Sequence, residues 1–224
     1  MNRQEPIHPN EVSLEEACFL IRLARRAVEE YLNRREIIKP PEDTPEKLFR
    51  HGMVFTTIET YHSYSHRTLR GCIGFLQPVY PLVEAAIRSA IEAAFRDPRF
   101  PPLEKHELDK VTFELSILSI PVKIEATTPW DIPGKIVIGR HGLVVKRGWY
   151  QGTLLPQVPI EYCWDQETFL AETCLKAGLE PDCWLDKDTE VLLYEGRVFR
   201  EKEPHGEIEE RDLSIEYKRI CRKD

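Results

Sequence analysis

Apolar residues recur at helical spacing between Leu14 and Leu32. Leu14, Ala17, Cys18, Ile21, Ala24, Val28, Tyr31 and Leu32 make one stripe, and Arg22, Arg26, Glu29 and Glu30 lie opposite. The pattern predicts an amphipathic helix with Cys18 in its core-facing stripe. Ser13 and Glu16 stand at capping-box spacing, so each can satisfy a free backbone N–H of the first turn. "KPPEDTP" from Lys39 ends the helix in a loop. Beyond it the period drops to two. "GMVFTTIET" from Gly52 reads as a strand, "YHSYSH" as a polar connection and "RTLRGCIGFL" as the hairpin partner.

Pro78 and Pro81 open a second helix, because proline suits a first turn. Val83, Ile87, Ala90, Ile91 and Ala94 form its inner side, and Glu84, Arg88, Glu92 and Arg96 alternate in sign along a solvated face. "DPRFPP" from Asp97 stops it. "KVTFELSILSI" from Lys110 is a strand with Val111, Phe113, Leu115 and Ile117 on one face and Thr112, Glu114 and Ser116 on the other. "KIVIGRHGLVVKRGWYQGTLLP" reads as a meander of three short strands parted by the "GRHG" and "KRG" turns. Asp165 caps a third helix, and Gly178 ends it in a left-handed conformation. "DTEVLLYEGRVFRE" from Asp188 is the last strand. The charged tail, 202–224, is expected to be a mobile or peripherally docked extension. Strands outnumber helices and follow one another as hairpins. The fold class is therefore α+β, a mostly antiparallel sheet with packed helices.

Composition narrows the function. The chain has 224 residues, 42% hydrophobic and 31% charged, an ordinary globular balance. Its net charge of −7 disfavours nucleic acid as a partner, since phosphate neutralisation needs clustered Lys and Arg. No apolar run is long enough to span a membrane, and "MNRQEPIHPNEVS" has no apolar leader region, so a cytoplasmic location is expected. None of the six cysteines forms a CxxC pair, and neither a GxGxxG, a Walker loop nor a His/Asp cluster occurs. No metal and no cofactor are expected. Asparagine is confined to Asn2, Asn10 and Asn33 in a chain rich in Glu, Lys and Arg, as in heat-adapted proteins. Cytosolic disulfides are less rare there, which leaves open a pair among Cys163, Cys174 and Cys183.

The stretch "TLRGCIGFLQP" carries the candidate chemistry. Strand alternation puts His66, Thr68, Arg70 and Cys72 on one face and Leu69, Ile73 and Phe75 on the other. Arg70 and Cys72 would then lie about 7 Å apart along the backbone, close enough for the guanidinium to favour thiolate. Gly71 and Gly74 would let a ligand or another backbone approach, or supply a bulge. The bland alternative is tight packing, with Cys72 as a small filler and Arg70 as the ion-pair partner of Glu114. His62 and His66 offer bases without a defined placement, and His141 in its turn reads as a tolerated polar residue.

"LRGCIGFL", "AAIRSAIEAAFRDPRF", "ELSILSIPVKI", "GLVVKRGWYQGTLLPQV" and "FLAETCLKAGLEPDCW" occur in the order found in AMMECR proteins. The resemblance covers roughly Ser13 to Glu201, one AMMECR-type domain over 13–201, and suggests an archaeal member. It implies an α+β fold of two lobes with a groove between them, the smaller lobe inserted around 77–125. It associates that groove with Leu69, Arg70, Gly71, Cys72, Ile73 and Gly74. Arg99 and Gln157 lie in family motifs beside prolines and become candidates for the groove wall. Family function is not established. The resemblance suggests Memo-type and radical-SAM proteins as partners, or a part in information processing. Two readings follow. In one, an enzyme or carrier uses Cys72 as nucleophile with Arg70 activating it; in the other, a noncatalytic module binds a small anion or a peptide in the groove.

Overall fold

The computed structural model describes residues 5–221. It divides into two compact units, Met1–Ser119 with Arg197–Arg211, and Ile120–Gly196 with Asp212–Asp224. The first unit contains helix α1 (Leu14–Arg34), strands β1 (His51–Ser63), β2 (His66–Gly74) and β3 (Tyr80–Pro81), helix α2 (Leu82–Phe95) and strand β4 (Val111–Leu118). The second contains β5 (Val122–Lys123), β6 (His141–Arg147), β7 (Tyr150–Leu154), α3 (Val158–Glu161) and α4 (Gln166–Lys176). Strand β8 (Glu190–Glu201) starts in the second unit and ends in the first. Strand β9 (Ile208–Glu210) belongs to the first and helix α5 (Leu213–Cys221) to the second.

Helix α1 starts where the sequence signals it. The Ser13 N–H donates to the Glu16 carboxylate (2.8 Å), and the Glu16 N–H donates to the Ser13 hydroxyl (3.2 Å). It ends at Arg35, which adopts a left-handed conformation. Its stripe is buried at Ala17, Leu20, Ile21, Ala24, Ala27 and Val28, but Cys18 is only half-buried, beside the stripe rather than in it. In the first unit β1 pairs with β2 on one edge and β4 on the other, both antiparallel. Helices α1 and α2 cover one face of these strands. There Val54, Ile58, Phe113, Leu115 and Ile117 join the helices' aliphatic residues in a single core. Alternation predicts a solvated second face for β4, yet every residue of that strand is buried. Thr112, Glu114 and Ser116 point away from the helices and are covered nonetheless.

A buried ion pair ties the first unit's late segment to its core. The Arg25 guanidinium donates to both Glu201 oxygens (2.8 and 2.5 Å) and to the Leu108 and Val111 carbonyls. The Phe113 N–H donates to the same Glu201 carboxylate. The unit's late segment also includes the strand pair β8–β9, joined at Phe199–Glu210 and Glu201–Ile208.

In the second unit β6 lies between β7 and the first half of β8, and β5 pairs with that half of β8 as well. The meander has two strands, not three: 136–140 form no strand, Ile136 following a short 3-10 turn and Ile138 lying in the turn before β6, both buried. Asp165 caps α4 by accepting from the Thr168 N–H, and Gly178 follows it with φ of 76°. Two disulfides occur here, Cys174–Cys183 and Cys163–Cys221. In the described part of the tail, 202–221, β9 joins the first unit and the second disulfide anchors α5; the last three residues of the expected extension lie outside the described residues. Residues 77–119 fall within the first unit alongside β1 and β2, and 120–125 within the second.

Candidate functional site: the polar face of the first unit

The register of β2 decides where the motif's side chains go. Cys72 faces Thr57 and Gly71 faces Ile58, but Glu59 faces Leu69, so Arg70 is an extra residue in a β-bulge. A bulge reverses the alternation on either side of it. Cys72 consequently shares a face with Leu69 rather than with Arg70. The Arg70 guanidinium runs to the Glu107 carboxylate (2.8 and 3.0 Å) and to the Pro101 carbonyl (2.9 Å). It neither approaches the sulfur nor pairs with Glu114, and both expectations for it are corrected.

Cys72 is held as a neutral thiol. The Thr57 hydroxyl donates to its sulfur at 3.3 Å, its N–H donates to Asp97 at 2.8 Å, and its carbonyl accepts from Arg99. Burial outweighs that hydroxyl and the nearby Arg99 and pushes the thiol up to about 11. The environment opposes thiolate, so the expectation of an Arg70-activated nucleophile fails on both geometry and charge. Asp97, immediately after α2, is lowered to about 2: hydrogen bonds from Arg99 and from the Cys72 N–H outweigh a desolvation that by itself raises it. Arg99 is thus an ion-pair partner that stiffens the turn after α2. Gly71 sits against α2, where a Cβ would come 2.1 Å from the Ala93 carbonyl oxygen. Gly74 lies similarly close to β1, and Ile73 packs into the core. Leu69 is exposed. Gln157 is buried at the start of α3, in the second unit. His141 is also structural: its Nδ1 accepts from the Val137 N–H, and burial lowers its pKa.

What the bulge does assemble is a charged face. Direct pairing across β2, β1 and β4 places Cys72, Thr57 and Glu114 in one row and Leu69, Glu59 and Thr112 in the next. Directly opposed residues of an antiparallel pair share a face, with Cβ atoms about 4.5–5.5 Å apart. Arg67, opposite Tyr61, belongs to the same face, with its Nη1 3.8 Å from Glu59 Oε2. Arg211 pairs with Glu114 at 2.8 Å, and Arg200 pairs with Glu209 at 2.9 Å. Three guanidiniums and three carboxylates therefore share one side of this sheet, which is why β4 is buried on both faces.

Glu59 is the exception among them. Its carboxylate makes no hydrogen bond among the described residues, and its side chain is 20% exposed. Burial first, then the adjacent Glu114 carboxylate, raises it to about 7, with Arg67, Arg211 and Arg200 pulling the other way. Arg67 has the opposite shortage. Its side chain is only 5% exposed, its Nη2 donates to the Lys202 carbonyl, and its Nε and Nη1 have no hydrogen-bond partner among the described residues. The Thr112 hydroxyl is likewise buried without a hydrogen bond. Of these residues the motif reading named only Cys72, Leu69 and Glu114. Glu59 and Arg67 did leave a trace: each is a charged residue in a strand whose neighbours are β-branched or aromatic.

An antiparallel sheet with helices on its apolar face and charge on its opposite one defines an α+β protein with a buried polar site. Within that class, the chain belongs to the AMMECR1 family, whose model matches residues 21–199. It is 52% identical to a Thermococcus gammatolerans protein over 195 residues, 87% of this chain and 95% of the relative. A Pyrobaculum aerophilum relative, PAE0745, is 51% identical over 210 residues, 94% of this chain and 98% of its own. The crystal structure of the uncharacterized protein PH0010 from Pyrococcus horikoshii matches with a TM-score of 0.87 at 50% identity, covering 90% of this chain and 99% of that one. These relatives come from heat-loving archaea. Among the described residues no helix is long and apolar enough to cross a membrane, and no His/Cys/Asp/Glu cluster could hold a metal ion.

Proposed function

We propose that this protein is an acid–base enzyme whose proton-transferring group is Glu59, acting on a small molecule at the polar face of the first unit. One observation carries the reading. Glu59 reaches solvent, makes no hydrogen bond among the described residues, and lies between a carboxylate and a guanidinium on a face otherwise closed by ion pairs. A carboxyl that ionises near neutrality can both accept and return a proton at working pH. A purely structural acid in this position would be expected to bond Arg67 at hydrogen-bond distance, as Glu114 bonds Arg211. Cys72 and Thr57 line the neighbouring row as neutral hydrogen-bonding groups. The two disulfides are compatible with a cytoplasmic setting in a heat-loving archaeon, where intracellular disulfides are common.

Deuterium exchange tests the reading whatever the eventual product. The protein is incubated in D2O with a panel of small carboxylic and keto acids, and loss of substrate C–H signals is followed by proton NMR. The wild type is expected to exchange at least one panel member, and Glu59→Gln to slow that exchange by about 100-fold or more. Exchange that survives Glu59→Gln, or a Glu59 carboxyl that titrates like an exposed glutamate in carbon-13 spectra, overturns it.

A further inference from the structure

Glu59 as proton carrier leaves the question of what Arg67 is for. A guanidinium has five N–H donors and no acceptor, and burying it without partners is costly. Arg67 lies under Tyr61 and Tyr64, with its carbon 5.7 and 5.8 Å from their ring centres. Those rings favour its charge but accept none of its hydrogens in the plane of the group. Arg200, also facing Tyr64, adds a repelling cation, and burial and that cation both lower the Arg67 pKa. Among the described residues its ion-pair partner is Glu59, and 3.8 Å is too long for a hydrogen bond. On the other side of β1, in the row of Glu59 and Leu69 and one row along from Arg67, the Thr112 hydroxyl is buried and has no hydrogen-bond partner among the described residues. Two residues on strands either side of Glu59 thus present unsatisfied polar groups on one face.

The charges on that face decide the ligand's own. Glu59 is faced by Arg67 from β2, Glu114 from β4, Arg200 from β8 and Arg211 from the segment after β9. Arg211 is taken by Glu114 and Arg200 by Glu209. When Glu59 is neutral, Arg67 is the cation of this group left without a counter-charge. A single negative charge restores the balance, whereas a dianion overshoots it.

We propose that Arg67 and Thr112 hold the carboxylate of a small organic acid, which enters beside Arg67 as the anion while Glu59 takes up a proton. The assignment takes Glu59 as the proton-exchanging group proposed above and adds the substrate class. It makes Arg67 a binding residue and couples ligand affinity to pH. The anion replaces the Glu59 carboxylate as Arg67's counter-charge, so binding and protonation of Glu59 favour each other.

Acetate is the probe, titrated into the full-length protein while the Arg67 Nε–H resonance is followed in nitrogen-15 spectra. A saturable shift in the millimolar range is expected, with affinity about tenfold weaker at pH 8 than at pH 6. Glu59→Gln is expected to keep acetate binding and lose its pH dependence. Thr112→Val should weaken binding severalfold, and Arg67→Met should abolish it. Should Arg67→Met fail to fold, the wild-type resonance and Arg67→Lys, which keeps the charge but not the shape, still decide. An Arg67 signal that acetate does not shift, equal affinity at both pH values, or saturation by phosphate with none by acetate overturns the proposal. The two readings fail separately. Acetate binding in a protein that exchanges no substrate deuterium sinks the acid–base enzyme alone; exchange without acetate binding sinks the carboxylate site alone.

Discussion

At residue scale, Glu59 and Cys72 show the same cause producing opposite consequences for chemistry. Both are acids pushed upward by burial. For the thiol, whose ordinary value already lies above neutral, the push removes it from nucleophilic chemistry. For the carboxyl, the push brings ionisation to working pH. The shift also makes Glu59 a pH-dependent element of stability. Its folded pKa of about 7 exceeds the ordinary 4.5, so between those values the folded chain holds the proton more tightly. That contribution is fully present below about pH 4.5 and is lost as pH rises through 7. Urea unfolding from pH 5 to 8 should therefore show the wild type losing roughly 1–3 kcal/mol relative to Glu59→Gln. Parallel curves for the two proteins would show that Glu59 is not perturbed.

The β2 strand is the element on which the site depends. One inserted residue, Arg70, reverses the alternation and brings Cys72 over to the Thr57 row, while Arg70 itself leaves for Glu107. Gly71 is the reason the strand can lie so near α2. Adding a methyl there would meet the Ala93 carbonyl, a backbone atom with no room to give. Gly71→Ala is expected to cost about 3 kcal/mol in a denaturant titration, the scale of a severe overpacking. A loss below about 1 kcal/mol would mean that β2 can move off the helix. The two glycines were legible in the sequence as a place of close approach. They were also legible as able to supply a bulge, but its place at Arg70 was not, because one extra residue leaves no mark in the apolar pattern.

At the scale of the whole molecule, the C-terminal segment proves structural. Arg211 supplies the partner of Glu114, and α5 is tied to the second unit by the Cys163–Cys221 disulfide, which closes a separation of 58 residues. Opening a cross-link of that span by Cys221→Ser is expected to destabilise the second unit by about 2–4 kcal/mol. Hydrogen exchange should speed up across Leu213–Cys221 while α1 and α2 keep their protection. Unchanged exchange in α5 would show that Leu213 and its packing suffice. Charge patterning made this segment read as a peripheral extension, since its few aliphatic residues give a helix too little to announce itself.

Local sequence determined the helix caps at Ser13 and Asp165, the β1–β2 hairpin, the inner face of α2, the α+β class and the family. Each rests on neighbours a few residues apart, whose periodicity or capping is a short-range preference. Only the tertiary structure decided which side chains meet. Glu59, Arg67, Thr112, Glu114 and Arg211 come from four separate segments, and their protonation and pairing depend on burial and on charges brought from far along the chain. Desolvation and Coulomb energy act through space, so the order of the residues marked Glu59 and Arg67 only as charged positions within strands and not the chemistry that they form together.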